Sequence, residues 1–112
     1  MLHDNLQVKN GRLYFAGADT VELAEKYGTP LMILDEQRIR DRMRLYISAM
    51  QKYFTPSSFP LLASKALCFK RIYEIAREEG MGTDIVSPGE LFIADKSLFP
   101  MEKAFFHGNN KT

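Results

Sequence analysis

The sequence predicts an α/β fold, and three observations carry that prediction. Apolar runs of strand length recur at residues 31–34, 61–65, 83–86 and 103–107. The segments between them, residues 36–53, 69–79 and 87–99, carry apolar side chains at helical spacing. The links are short, and strand, helix, strand, helix, strand in succession favours parallel strands joined by right-handed crossovers.

Taken in order, "VKNGRLYFAG" places a turn signal, Asn10-Gly11, between two strand-like pieces and predicts a small hairpin. Thr20 offers an N-cap, residues 21–27 a short helix, and Gly28 a stop. In "TPLMILD" the run 31–34 reads as a buried strand, with Asp35 capping the helix after it. From Glu36 to about Tyr53, Ile39, Met43, Tyr46, Ile47 and Met50 mark the inner side of that helix. Arg38, Arg40, Arg42 and Arg44 are expected on its solvated face. After the break "TPSSFP", residues 61–65 read as a strand and 69–79 as a helix with Ile72, Ile75 and Ala76 inward, closed by Gly80 and Gly82. "TDIV" is the next strand, "SPGELFIADKSLF" the next helix and "KAFFH" a third strand before "GNNKT". A parallel sheet is normally covered on both faces, so three such strands would leave two unpaired edges.

Composition bounds the function loosely. The 112 residues are 46% hydrophobic, enough for a core, and 15 basic against 14 acidic residues leave a net charge of +1. The basic residues are scattered among acidic ones, so no nucleic-acid partner and no acidic membrane surface is expected. The start "MLHDNLQVKN" lacks an apolar signal core, and no run approaches the ~18 apolar residues of a membrane span, which points to the cytoplasm. Cys68 is the single cysteine, so neither an internal disulfide nor a cysteine-cluster zinc site can form. With only His3 and His107 beside it, no metal is expected.

Lys65 is the residue that most needs a reason. It interrupts the small, apolar run "LLASKALCF", and burying an unpaired ammonium costs several kcal/mol or forces it to neutralise. At the end of a parallel strand it would stand on the functional rim of an α/β sheet. There a lysine in a dry site can attack an aldehyde to form a Schiff base, and Ala63, Ser64 and Ala66 leave room for a flat ring. The plainer alternative is a lysine whose stem lies along apolar surface while its ammonium reaches water. Asp84, in "GTDIV", would face the same mouth, although a loop aspartate satisfied by backbone amides reads equally well. Ser87, Pro88 and Glu90 are explained structurally as a capping box. His107 ends the third strand, giving three successive strand ends with Lys65, Asp84 and His107. Lys111 sits among polar residues and reads as an ordinary exposed ammonium, and Cys68 as a small core residue.

"ASKAL", "EEGMGTDIVSPGEL" and "HGNNKT", in that order, resemble the pyridoxal phosphate-dependent decarboxylases on an alanine racemase-type barrel, and among them the diaminopimelate decarboxylase family. The likeness runs from "YGTPL" at about Gly28 to Thr112, while a family member has several hundred residues. It implies a partial TIM-type (β/α) barrel of about three βα units, residues 31–112, where a full barrel takes ~250 residues. Residues 1–30 would be a β segment joining a β domain that follows the barrel. The resemblance implies that Lys65 is the Schiff-base lysine, Asp84 the acidic residue near the cofactor, and His107 with Asn109 the third strand end beside it. It further implies pyridoxal phosphate as cofactor, an amino-acid substrate, meso-diaminopimelate, decarboxylated to lysine, and a homodimeric parent enzyme. The 112 residues alone would be poorly folded and inactive. Leu62 stands where the family usually has an aromatic, Leu67 where it often has asparagine and Pro88 where it commonly has glycine. Another amino-acid decarboxylase or racemase on the same barrel, a noncatalytic cofactor-binding barrel protein, and a self-contained α/β interaction domain remain the competing readings.

Overall fold

Asn10 and Gly11 both take positive φ, 51° and 74°, as a two-residue hairpin turn of type I′ requires. They join strand β1 (Leu6–Lys9) to β2 (Arg12–Phe15), which pair antiparallel from Lys9↔Arg12 to Leu6↔Phe15. The expected hairpin is therefore present. A second turn of the same kind comes next: Ala16 and Gly17, φ 48° and 84°, return the chain into β3 (Ala18–Asp19), paired with β2. This third strand is not among the expected elements, because alanine is a poor residue for a left-handed position. In the computed structural model, which describes residues 3–108, the chain divides into two units, Met1–Gln37 and Arg38–Thr112.

The first unit continues with helix α1 (Thr20–Tyr27). Its N-cap is Asp19, not Thr20: Asp19 Oδ1 accepts from the amides of Val21 (2.8 Å) and Glu22 (3.3 Å), while Arg12 Nη1 lies 2.8 Å from Oδ2. A carboxylate satisfies two orphan amides and favours the positive end of the helix, which a hydroxyl one residue later does less well. Burial pushes the Asp19 carboxyl up, but those amides and the Arg12 guanidinium hold it below its usual value. Thr20 instead donates its hydroxyl to Leu13 O at 3.0 Å. Gly28, φ 82°, ends α1 as expected. Residues 31–34 do not form the expected buried strand. Leu31, Met32 and Leu34 are exposed, and no ladder pairs the run among the described residues. Apolar β-propensity makes a strand only where a partner supplies the hydrogen bonds.

The second unit, whose first helix α2 (Glu36–Tyr53) begins at the boundary, contains β4 (Leu61–Ala63), α3 (Lys70–Glu79), β5 (Gly82–Ile85), α4 (Pro88–Lys96) and β6 (Ala104–Phe106). The three strands lie in the order β4-β5-β6, all parallel, as the alternation predicts. β4 is shorter than expected, because residues 64–66 turn into a single 3-10 turn (Ser64–Ala66). Strand periodicity assigns the faces. Leu62, Ala104 and Phe106 point to one side and pack on the core with Ile85. That core takes Ile72, Tyr73, Ile75 and Ala76 from α3, Met81 from the link between α3 and β5, Ala94 from α4, Phe99 from just after it, and Met43 from α2, with Ile39 and Ile47 against it. Tyr46, expected inward, is exposed.

The arginine face needs a similar correction. Arg40 is largely covered and reaches Glu79 at 2.7 Å and Glu78, and Arg44 Nε lies 2.6 Å from Glu79 Oε2. These pairs tie α2 to α3, because Arg40 and Arg44 are one turn apart on the side that meets the end of α3. α3 ends in a Schellman motif: Gly80, φ 86°, donates to Arg77 O at 3.1 Å and Met81 to Ala76 O at 2.9 Å. Gly82 does not help to close that helix. It belongs to β5, where an added Cβ would stand 2.6 Å from both Leu61 Cδ2 and Phe59 Cε2 and 2.8 Å from Lys103 O. Glycine is needed there for close approach.

Candidate active site

The second face of the β4-β5-β6 sheet is not packed by α3 or α4, which cover the first. Register puts Ala63, Asp84 and Phe105 in one row across it and Leu61 beside Gly82 one step earlier. Phe59 and Phe105 meet with ring centroids 6.1 Å apart, and the Lys103 ammonium sits 5.4 Å over the Phe59 ring. Leu61, Ala63 and Phe105 are exposed and Asp84 is half-buried.

At the carboxyl ends of these strands the chain presents its ionisable groups. Lys65 lies on the 3-10 turn that succeeds β4, outside the strand expected to hold it, and is exposed, as in the plainer reading of an ammonium that reaches water and not as in a dry site. Asp84 is the next-to-last residue of β5. His107 comes directly after β6, exposed, its backbone N–H donating to Ile85 O at 2.9 Å. None of the three side chains makes a hydrogen bond or ion pair among the described residues. The topology thus brings Lys65, Asp84 and His107 to one edge of the sheet with their bonding capacity unspent. Asn109 and Lys111 lie outside the described residues. Carboxyl ends of parallel strands are where α/β proteins bind ligands.

Under the Lys65 turn is a polar cluster that sequence reasoning does not assign to the site. Ser64, 1% exposed, turns inward and its hydroxyl contacts two acceptors, Asp84 O at 2.8 Å and Glu90 Oε1 at 2.9 Å. The capping box at α4 is formed as expected: Ser87 is the N-cap, Pro88 the first helical residue, and Glu90 N–H donates to Ser87 Oγ at 3.3 Å. The Glu90 carboxylate does more than close that box. It is 5% exposed, and Oε2 accepts from the Ser87 hydroxyl at 2.7 Å and the Val86 amide at 3.1 Å while Oε1 meets Ser64. Burial pushes Glu90 up, yet the Ser87, Ser64 and Val86 donors more than offset it and hold the carboxyl below its usual value. Tyr73, fully buried, brings its hydroxyl to 3.7 Å from Cys68 Sγ; burial, first, and then the Cys68 contact push that hydroxyl well up. The signal for Ser64 is present in the sequence, a hydroxyl beside the lysine, but its inward turn depends on β4 ending at Ala63.

Comparison with known proteins now bears on this edge. No family model matches the chain. The diaminopimelate decarboxylase of Bacillus methanolicus is 41% identical over 104 residues, 93% of this chain and 24% of that protein. That of Methanocaldococcus jannaschii is 37% identical over 113 residues, 98% of this chain and 26% of the relative. The crystal structure of the M. jannaschii enzyme superposes with a TM-score of 0.82 over 97% of this chain and 26% of its own. Over nearly all of its length the chain is similar to one part of these diaminopimelate decarboxylases. It spans about a quarter of the length of the curated relatives it matches. A structure of the M. jannaschii diaminopimelate decarboxylase in co-complex with L-lysine gives the same TM-score of 0.82. The family resemblance drawn from "ASKAL" and "EEGMGTDIVSPGEL" is thereby borne out, and the α/β class with it.

Proposed function

We propose that this chain supplies the first strands of a TIM-type barrel to a pyridoxal phosphate-dependent decarboxylase that converts meso-diaminopimelate to lysine and carbon dioxide. The single observation that carries the reading is Lys65, an amine without a partner among the described residues, on a turn at the carboxyl end of β4, in a chain similar to diaminopimelate decarboxylases. The residues present fit the cofactor. The amine is free of any ion pair among the described residues, its neighbours Ala63 and Ala66 are small and exposed, and the face they border is open.

When bound, the cofactor supplies an aldehyde for condensation with an amine and an electron-deficient ring that accepts the electron pair left as carbon dioxide departs. The side chains of this chain do the rest of the work assigned to it. Lys65 Nζ would be the nucleophile that holds the cofactor at the rim. Asp84, one strand over, offers a carboxylate to a cationic group at the same rim. His107 follows the third strand at the same rim, where an imidazole is able to accept or donate a proton, and Asn109 is the residue assigned to work with it. The sheet face bearing Leu61 and Phe105 becomes part of the barrel interior. In the same reading residues 1–30 join a β domain, the parent enzyme is a homodimer, and it acts in the cytoplasm; no helix among the described residues is long and apolar enough to cross a membrane.

The test is turnover by the full-length polypeptide that carries this chain. With meso-diaminopimelate and pyridoxal phosphate it is expected to release carbon dioxide and lysine in equal amounts. Turnover of a different amino acid, with none of meso-diaminopimelate, would reassign the substrate. Cofactor-independent turnover would overturn the reading.

A further inference from the structure

We infer that Glu90 is a positioning residue for Lys65, acting through the Ser64 hydroxyl; this rests on the reading of Lys65 given above. A 3-10 turn of three residues has few hydrogen bonds of its own, and here the turn Ser64–Ala66 is closed at its end by Leu67 N–H donating to Ser64 O at 3.1 Å. What else fixes the turn is the side chain of its first residue. Ser64 Oγ bonds backward to the neighbouring strand at Asp84 O and forward to the helix at Glu90 Oε1. A residue 1% exposed thus meets a carboxylate 5% exposed, in a region where an unmet bond is costly to both partners.

The chemistry of the pair is informative. A serine hydroxyl has one proton, and both Asp84 O and an ionised Glu90 are acceptors, so that proton is shared between them. Among the described residues Glu90 is paired with no cation; its charge is met by Ser87, Val86 and Ser64 and by the N-terminal end of α4, in whose first turn it lies. A buried carboxylate is more than the end of α4 needs, since the Ser87 hydroxyl already accepts from the Glu90 amide. Its second oxygen is spent on Ser64, the residue next to Lys65. Pointing Ser64 into the core forces Lys65, the adjacent residue on the turn, to the outside, over the open rim.

Glu90 and Ser64 together hold one direction for the Lys65 side chain. The experiment uses the full-length polypeptide, freed of cofactor, with the rate of cofactor capture monitored by the visible absorbance that appears when pyridoxal phosphate becomes bound to the lysine. Ser64→Ala and Glu90→Gln are each expected to slow capture and to lower kcat by about 10- to 100-fold with KM for substrate little changed, the effect of a misdirected reacting group. Ser97→Ala is the stability control. It removes a buried hydroxyl that donates to Ala94 O at 2.7 Å, at the other end of the same helix, and is expected to leave the capture rate alone. Capture by Ser64→Ala and Glu90→Gln at the wild-type rate would overturn the inference, as would slowing by Ser97→Ala to the same extent. Should Ser64→Ala not fold, Glu90→Gln, which keeps the size of the side chain, decides the matter by itself. A wild-type protein that captures no cofactor at Lys65 would instead sink the function proposed above, so the two failures are told apart.

Discussion

The two faces of the β4-β5-β6 sheet are built from alternate residues of the same strands, yet they do different things. One face sends Leu62, Ile85, Ala104 and Phe106 against α3 and its neighbours, and there nearly every polar group is matched. The opposite face leaves Leu61, Ala63 and Phe105 exposed and ends in Lys65, Asp84 and His107, three ionisable side chains without partners among the described residues. The difference teaches that stability and chemistry are separated by a period of two along the strand. A substitution on one face should register in unfolding, and a substitution at the rim of the other should register in turnover.

The sharpest way to break that comparison is Lys65→Ala in the full-length protein. Turnover is expected to fall by more than ~10³-fold, because a covalent role has no substitute, while the unfolding midpoint stays within the small range of surface substitutions. A large loss of stability would show that the rim also holds the fold. On the covered face the expectation reverses. Ile75, 1% exposed in the middle of α3, replaced by alanine is expected to cost about 2–5 kcal/mol in denaturant unfolding with kcat per folded molecule unchanged.

Gly82 stands between the two, because the atoms its Cβ would meet belong to the bare face but one of them is backbone. Leu61 and Phe59 have room to swing aside, whereas Lys103 O at 2.8 Å does not. Gly82→Ala is expected to destabilise by about 1–3 kcal/mol, as overpacking does, and a neutral result would show that β5 and β6 separate easily. This residue also marks the limit of what the sequence discloses. Hairpin, helices and parallel order are set by turn residues and apolar spacing, which are local. Gly82 reads wrongly as a helix stop because a second glycine after Gly80 has the same local meaning whether it ends a helix or lets two strands approach. Residues 31–34 mislead for the complementary reason, since a strand depends on a partner that the run itself does not encode. The rim residues Lys65, Asp84 and His107 are legible because each lies in or after an apolar run. Ser64 and Glu90 are not, since their pairing joins residues 26 apart in the chain.

The smallest effect expected is acid sensitivity of the covered side. The donors from Arg40 and Arg44 hold Glu78 and Glu79 below the ordinary glutamate value of 4.5, and Glu90 is held below it by Ser87, Ser64 and Val86 against its burial. Carboxyls whose folded values are lowered bind fewer protons in the folded state, so their contribution is fully present above about pH 4.5 and is lost as pH falls through the lowered values. The urea midpoint should be flat from about pH 7 to about pH 5 and drop at lower pH. A midpoint that rose on acidification would contradict the assignment of these carboxylates.

The claim on which the rest depends is that the Lys65 amine is covalently available to an aldehyde cofactor, and mass mapping of a borohydride-reduced sample tests it most directly. After incubation of the full-length protein with pyridoxal phosphate, reduction and digestion, the added mass should lie on the peptide containing Lys65, and should disappear in Lys65→Ala. Label found on Lys103 or on scattered surface lysines, with the Lys65 peptide unmodified, would contradict the account.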